Sequence, residues 1–174
     1  EGMLGTSLVL GVTTSPQRAV VQGAGATLRM SAPAFERHCR ECVELRRTLQ
    51  RYIDVLMRQL AQTAACTGYH LVEARLARWL LLSRDRAHHN QFRLTHEFLA
   101  YMLGVRRVGV TQAARSLQEQ GLIEYHRGDI TILDNLGLTK AACACYARGN
   151  RTYEQVLGLR SVSPSRKRSV VSAS

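Results

Sequence analysis

Acidic side chains are scarce in this chain: 13 Asp and Glu stand against 24 Lys and Arg in 174 residues. With so few carboxylates, and no Ser/His/Asp order, phosphate loop or paired-carboxylate pattern, no catalytic machinery is legible, and an enzyme is not expected. Long apolar runs are missing as well. None approaches the ~20 residues of a membrane span, and no basic, apolar and small-residue order marks a signal peptide. The expectation is a cytoplasmic protein without a membrane partner. Lysine is nearly absent, since 22 of the 24 basic residues are arginine. Paired cysteines are lacking too: Cys39, Cys42, Cys66, Cys143 and Cys145 make an odd set, which argues against a disulfide framework.

What is present is positive charge. The formal net charge is +11 and the pI is near 10.2. Such a field favours polyanions, and guanidinium groups grip phosphate or guanine edges bidentately. The 45% hydrophobic content is ordinary for a folded protein.

The stretch from Leu94 to Asp134 organises the chain. Thr95 is a good N-cap, Glu97 suits the positive end of a helix, and Leu94 can staple onto Leu99. Phe98, Leu99, Met102 and Leu103 recur at helical spacing, and Gly104 breaks the run as a tight turn requires. A second helix is expected from about Arg106 to Gln120. Val110, Ala113, Ala114 and Leu117 form its inner stripe, and Gly121 follows in the usual C-terminal position. Arg106, Arg107, Thr111, Gln112 and Arg115 lie on the other face. Two β-type runs, 122–125 and 130–133, flank the turn His126-Arg127-Gly128-Asp129. The pattern reads as a helix-turn-helix with a wing, a DNA-reading arrangement.

Upstream, residues 1–34 hold β-type runs at Ser7–Val12, Ala19–Gln22 and Ala26–Met30, punctuated by glycines. A short helix over Ala34–Cys42 precedes a long one from about Val43 to Ala65. Its apolar stripe, Leu45, Leu49, Tyr52, Leu56 and Leu60, is close to a coiled-coil seam and points to a homodimer. A break is expected at Thr67-Gly68, then a scaffold helix over Tyr69–Arg84 and a polar linker over Asp85–Gln91 in which His88 and His89 are solvated. One helix is expected over Leu136–Tyr146, with room to extend through Tyr153 and Leu157. The basic stretch at the end reads as disordered.

The stretches HLVEARLARWLLLSRDR (70–86), LTHEFLAYMLGVRRVGVTQAARSLQEQGLIEYHRGDITILD (94–134) and ACACY (142–146) resemble the Crp/Fnr family of bacterial transcription regulators. The resemblance implies an α+β chain with a partial β-roll remnant (1–34), a connecting and dimerisation helix (35–66), a C-terminal winged helix-turn-helix domain (67–157) and a disordered basic tail (158–174). The family's roll begins well before Glu1, so the chain reads as an N-terminally truncated form. By the same resemblance, Arg107, Val108 and Gln112 stand where base-contacting residues sit. Val108 departs from the family's usual acidic residue and Gln112 from a common arginine. Arg106, Thr111, Arg115 and Arg127 are phosphate-contact positions. The implied partners are double-stranded DNA, a second copy of the chain and RNA polymerase. Gly2, Gly5 and Arg18 occupy positions of the nucleotide-binding cassette. Met3 replaces its ribose-binding glutamate, which argues against cyclic nucleotide binding, and no cofactor is expected. The competing reading is a metal or redox sensor built on Cys39, Cys42, Cys143 and Cys145.

Overall fold

A computed structural model describes residues 2–15, 19–21 and 25–158. A 3-10 helix, Thr6–Leu10, precedes α1 (Ala32–Glu41), α2 (Val43–Tyr69) and α3 (Val72–Ala87). Then come β1 (Gln91–Arg93), α4 (His96–Leu103), α5 (Arg107–Glu119), β2 (Ile123–His126), β3 (Asp129–Ile132), α6 (Asn135–Ala141) and α7 (Cys145–Leu157). The chain is helix-rich with one small sheet.

The main core belongs to the C-terminal half. Leu76, Leu80 and Leu81 of α3 meet Leu99 of α4, Val110 and Leu117 of α5, Ile123 and Ile130 of the sheet, and Leu138 of α6, all fully or almost fully buried. Trp79 adds an edge-on contact to Phe98, with ring centroids 6.3 Å apart. The N-terminus of α4 forms as its residues dictate. The Thr95 hydroxyl accepts from the Phe98 amide at 3.1 Å, and Leu94 and Leu99, one on each side of the cap, are both buried.

The sheet has the order β1-β3-β2, all antiparallel, with Phe92 and Tyr125 both opposite Ile130. Strand β1 begins inside the stretch that the sequence marks as polar linker. Its pairing with β3 comes from tertiary hydrogen bonding that a three-residue run, Gln-Phe-Arg, cannot announce. His88 and His89 just before it are exposed, as a linker requires.

Several boundaries differ from the sequence reading. The described part of the N-terminal segment has no strand: 6–10 is 3-10 helix and 26–30 has no regular structure. A strand needs a ladder partner, and these runs have none; the run Ala19–Gln22 lies partly outside the described residues. Helix α2 continues through Thr67 and Gly68 to Tyr69, since the interior glycine costs only about 1 kcal/mol. Residues 136–146 do not form one helix. α6 stops at Ala141, and α7 starts at Cys145 and runs to Leu157, capped by Gly158 in the left-handed region.

The seam residues of α2 are unequally covered. Leu45, Leu49, Tyr52 and Leu56 are half-buried, Leu60 is 68% exposed, and the adjoining Met57 is also open. The 3-10 segment packs on this helix, and the Met3 amide donates to the Tyr52 hydroxyl at 3.2 Å. A different side of α2, carrying Gln59, Gln62 and Cys66, faces Gly149 and Thr152 of α7 across a shared cleft. The tail beyond 158 and Arg18 lie outside the described residues.

Candidate nucleic-acid interface

The turn between α4 and α5 is set by Gly104, whose φ of 62° lies in the left-handed region. Its amide and that of Val105 fold back onto α4: Gly104 donates to the Tyr101 carbonyl at 3.2 Å and Val105 to that of Ala100 at 3.0 Å. A residue that sequence reasoning missed secures this turn. Arg75 of α3 is buried, and its Nη2 donates to the carbonyl of Leu103 and, at 3.4 Å, to the Thr67 hydroxyl. A buried guanidinium is costly unless its donors are used, and here one helix-terminal carbonyl of α4 takes one of them.

Helix α5 separates its residues sharply. Val110, Ala113, Ala114 and Leu117 are buried, whereas Arg107, Val108, Thr111, Gln112 and Arg115 are exposed. At about 100° per residue, those five exposed positions span an arc of about 140°. Its first turn has no acidic residue, and the N-cap, Arg106, supplies no side-chain acceptor. The positive end of the helix therefore meets solvent with its orphan amides beside two arginines, an arrangement that suits an anion.

The strands β2 and β3 make the wing expected from sequence. At its tip Arg127 and Gly128 both have positive φ, 48° and 94°, as a tight two-residue hairpin turn requires. Arg127 is exposed there. Among the described residues Arg106, Arg107 and Arg127 form no ion pair, whereas Arg115 Nε contacts Glu119 Oε1 at 2.7 Å in an exposed pair. A phosphate at Arg115 would have to compete with that carboxylate.

A small polar chain ties α4, α5 and the wing together. Thr111 Oγ1 donates to the Arg107 carbonyl at 3.1 Å and lies 3.0 Å from His96 Nδ1, so the imidazole donates there in its Nδ1–H tautomer. The His96 ring stacks on Tyr125 of β2 with centroids 4.4 Å apart. Burial first, and then the charge of Arg107, hold the His96 pKa below its ordinary value. The Tyr125 amide donates to Gln118 Oε1 at 3.0 Å, a second tie between wing and helix. Neither His96 nor Gln118 stands out in the sequence, because their partners come from other elements.

The cysteines divide differently from the sequence expectation. Cys39 is half-buried on α1, and Cys42 caps α2, its Sγ accepting from the Leu45 amide at 3.4 Å. Cys143 and Cys145 instead meet Cys66 and His70 at the end of α2. The four-cysteine set of the sensor reading is therefore not assembled. Burial, with the Cys66 sulfur as a second cause, pushes the Cys143 thiol up to about 12. Nearby, burial and the hydrogen bond to Asp85 Oδ2 at 2.7 Å push Tyr146 up to about 12. Asp85 is itself held by Arg84 at 2.6 Å, and Arg84 also donates to Asn135 Oδ1 at 2.7 Å.

Gly2 and Gly5 sit at the N-terminal end of the 3-10 segment, with Gly2 beside the Tyr52 hydroxyl and Gly5 at a φ of 82°. Among the described residues no helix is long and apolar enough to cross a membrane.

Residues 74–141 match the family model described as the Crp-like helix-turn-helix domain. The match runs from α3 through α6 and takes in the whole helix pair and wing. Among solved structures the chain is similar to a protein from Eubacterium rectale described as a Crp/Fnr-family transcriptional regulator. The identity is 25% and the TM-score 0.46, over 63% of this chain and 51% of that one. A CRP-family regulator from Thermus thermophilus aligns at 20% identity with a TM-score of 0.46, covering 76% and 57%. A second regulator from that organism, of the CRP/FNR family, gives 25% identity and 0.43, covering 54% and 50%. The chain thus spans about half the length of these structures. No curated protein sequence matches it.

Proposed function

We propose that the chain is a dimeric, sequence-specific DNA-binding regulator of transcription whose α5 enters the major groove. The observation that carries this reading is the uncapped, acid-free first turn of α5, with an exposed arc of Arg107, Val108, Thr111, Gln112 and Arg115 opposite a fully buried stripe. Arg107 suits bidentate contact to guanine, Gln112 can read adenine, and Val108 offers apolar contact to a thymine methyl. Arg106, Arg127 and the helix amides are the phosphate contacts that set register. Thr111 and Arg115 join them only by exchanging their present partners, the Arg107 carbonyl and Glu119.

Two such heads, about one DNA turn apart, would address a near-palindromic site. Helix α2 supplies the dimer seam through Leu45, Leu49, Tyr52, Leu56 and Leu60, and the open surface at Met57 and Leu60 favours that role. RNA polymerase is the further partner this reading implies.

The test is selection from a randomised DNA pool across a salt series. Enrichment of a two-fold symmetric site is expected. Arg107→Ala should lower affinity by about 1–3 kcal/mol and relax preference at one base pair in each half-site. Binding that stays unselective at every salt concentration would refute the reading.

A further inference from the structure

Apart from the main core lies a second, smaller buried cluster: Cys66, Cys143 and Cys145, with Ala74 packed on it. Cys66 lies in the last turn of α2, and His70, four residues on, is the extended residue that caps its carboxy end. Cys143 and Cys145 come from the α6–α7 turn, with Cys145 opening α7. The Sγ atoms of Cys66 and Cys143 are 3.6 Å apart, and Cys145 Sγ is 3.7 Å from His70 Nδ1. All four potential ligand atoms lie within 4.8 Å of one another.

These distances can be set against a coordination sphere. Metal–ligand bonds of about 2.3 Å to sulfur and about 2.0–2.1 Å to nitrogen put tetrahedral ligands about 3.8 Å apart for two sulfurs and about 3.5 Å for sulfur and nitrogen. The two close pairs are already at that spacing, so the remaining pairs need to contract by only about 1 Å. The backbone holds the ligands from both sides. The His70 amide donates to the Cys66 carbonyl at 3.1 Å, the Cys143 amide to the Ala74 carbonyl at 3.3 Å, and the Tyr146 amide to the Cys143 carbonyl at 3.0 Å. A cleft of about 410 Å³ lined by Cys66, His70, Cys145, Arg58 and Arg148 gives access from solvent. Arg148 on its wall offsets the single net negative charge that three thiolates and a divalent ion would carry, whereas Arg58 is already paired with Asp54 at 2.8 Å.

We propose that Cys66, His70, Cys143 and Cys145 form a closed, structural tetrahedral site for a single zinc ion. Three sulfurs and one imidazole are a donor set for a soft or borderline divalent metal, and four protein ligands leave no open position for catalysis. On binding, the thiols release their protons to solvent and no electron is transferred. The ion joins the end of α2 to the α6–α7 turn, and so fastens the long helix to the DNA-binding domain. This assignment does not depend on the proposed DNA reading.

The experiment uses the full chain, purified under reducing conditions without chelator. Elemental analysis should find one zinc per chain. Titration of the metal-free chain with Co²⁺ should give the intense visible bands of a tetrahedral ion and a thiolate-to-cobalt charge-transfer band. Both should saturate at one equivalent and disappear on adding Zn²⁺. Cys145→Ser should weaken zinc binding by at least about 10–100-fold, the loss that even outer partners of a metal site produce. The double change Cys39→Ser with Cys42→Ser should leave binding unaltered. His70→Cys should retain a tetrahedral cobalt spectrum with a stronger thiolate band, which keeps the test decisive even if Cys145→Ser fails to fold. Octahedral cobalt spectra, absence of stoichiometric zinc, or a Cys66–Cys143 disulfide in the freshly isolated chain would each overturn the assignment.

Discussion

The two ends of this chain contain similar apolar residues and use them in opposite ways. Between Leu76 and Leu138, leucine, isoleucine and valine side chains interlock in one core. In the N-terminal segment Leu4, Leu10, Val12, Val20, Val21, Leu28 and Met30 are all exposed, Leu28 entirely so. β-type sequence alone does not make a sheet. The wing strands form because β1 and β2 flank β3 and a helical layer covers the inner face, whereas the described upstream residues have no ladder, and only the 3-10 turn packs on a helix, α2.

The sharpest way to break that contrast is to truncate one leucine from each end. Leu117→Ala should cost about 2–5 kcal/mol, because the cavity lies in a close-packed core. Leu28→Ser should stay within about 0.5 kcal/mol. Denaturant midpoints would check both, and equal losses would mean that the N-terminal segment has a cover on the free chain. A smaller difference separates two arginines. Arg75→Ala removes the buried donor to the Leu103 carbonyl and should cost about 1–3 kcal/mol. Arg47→Ala breaks only an exposed pair with Glu44 and should cost less than about 1 kcal/mol.

The smallest effect is on pH dependence and is confined to the C-terminal half. Burial first, and then the Arg107 charge, disfavour the imidazolium of His96, whose other neighbours are the Thr111 hydroxyl and the stacked Tyr125 ring. The folded pKa of His96 is lowered, so the unfolded chain takes up the proton more readily. The contribution is fully present above about pH 6.5 and is lost as pH falls below it. His96→Gln should flatten the loss of stability between about pH 7.5 and about pH 5.5. An unaltered slope would assign the acid sensitivity elsewhere.

Local signals in the sequence locate the elements of the candidate interface. The Thr95 cap, Gly104, the stripe of α5 and the wing turn are each written within a few neighbouring residues, and each forms, with Leu94 and Leu99 both buried beside the cap. What stays illegible depends on partners distant in sequence. Strand β1 exists only through β3, Arg75 matters only because the α4 carboxy end lies over it, and Cys66 and His70 acquire meaning only beside Cys143 and Cys145. The end of α2 escapes the sequence reading for a related reason: Gly68 is a weak breaker when the turn around it continues to hydrogen-bond.

The turn at the tip of the wing places a demand on its occupants. A side chain at a φ of 48° is sterically disfavoured, and asparagine or glycine would sit at Arg127 more comfortably. In a population of variants selected only for surviving heat, this arginine is therefore among the first that should be replaced. If DNA binding is selected as well, it should persist, and the two selections would part company at this one codon.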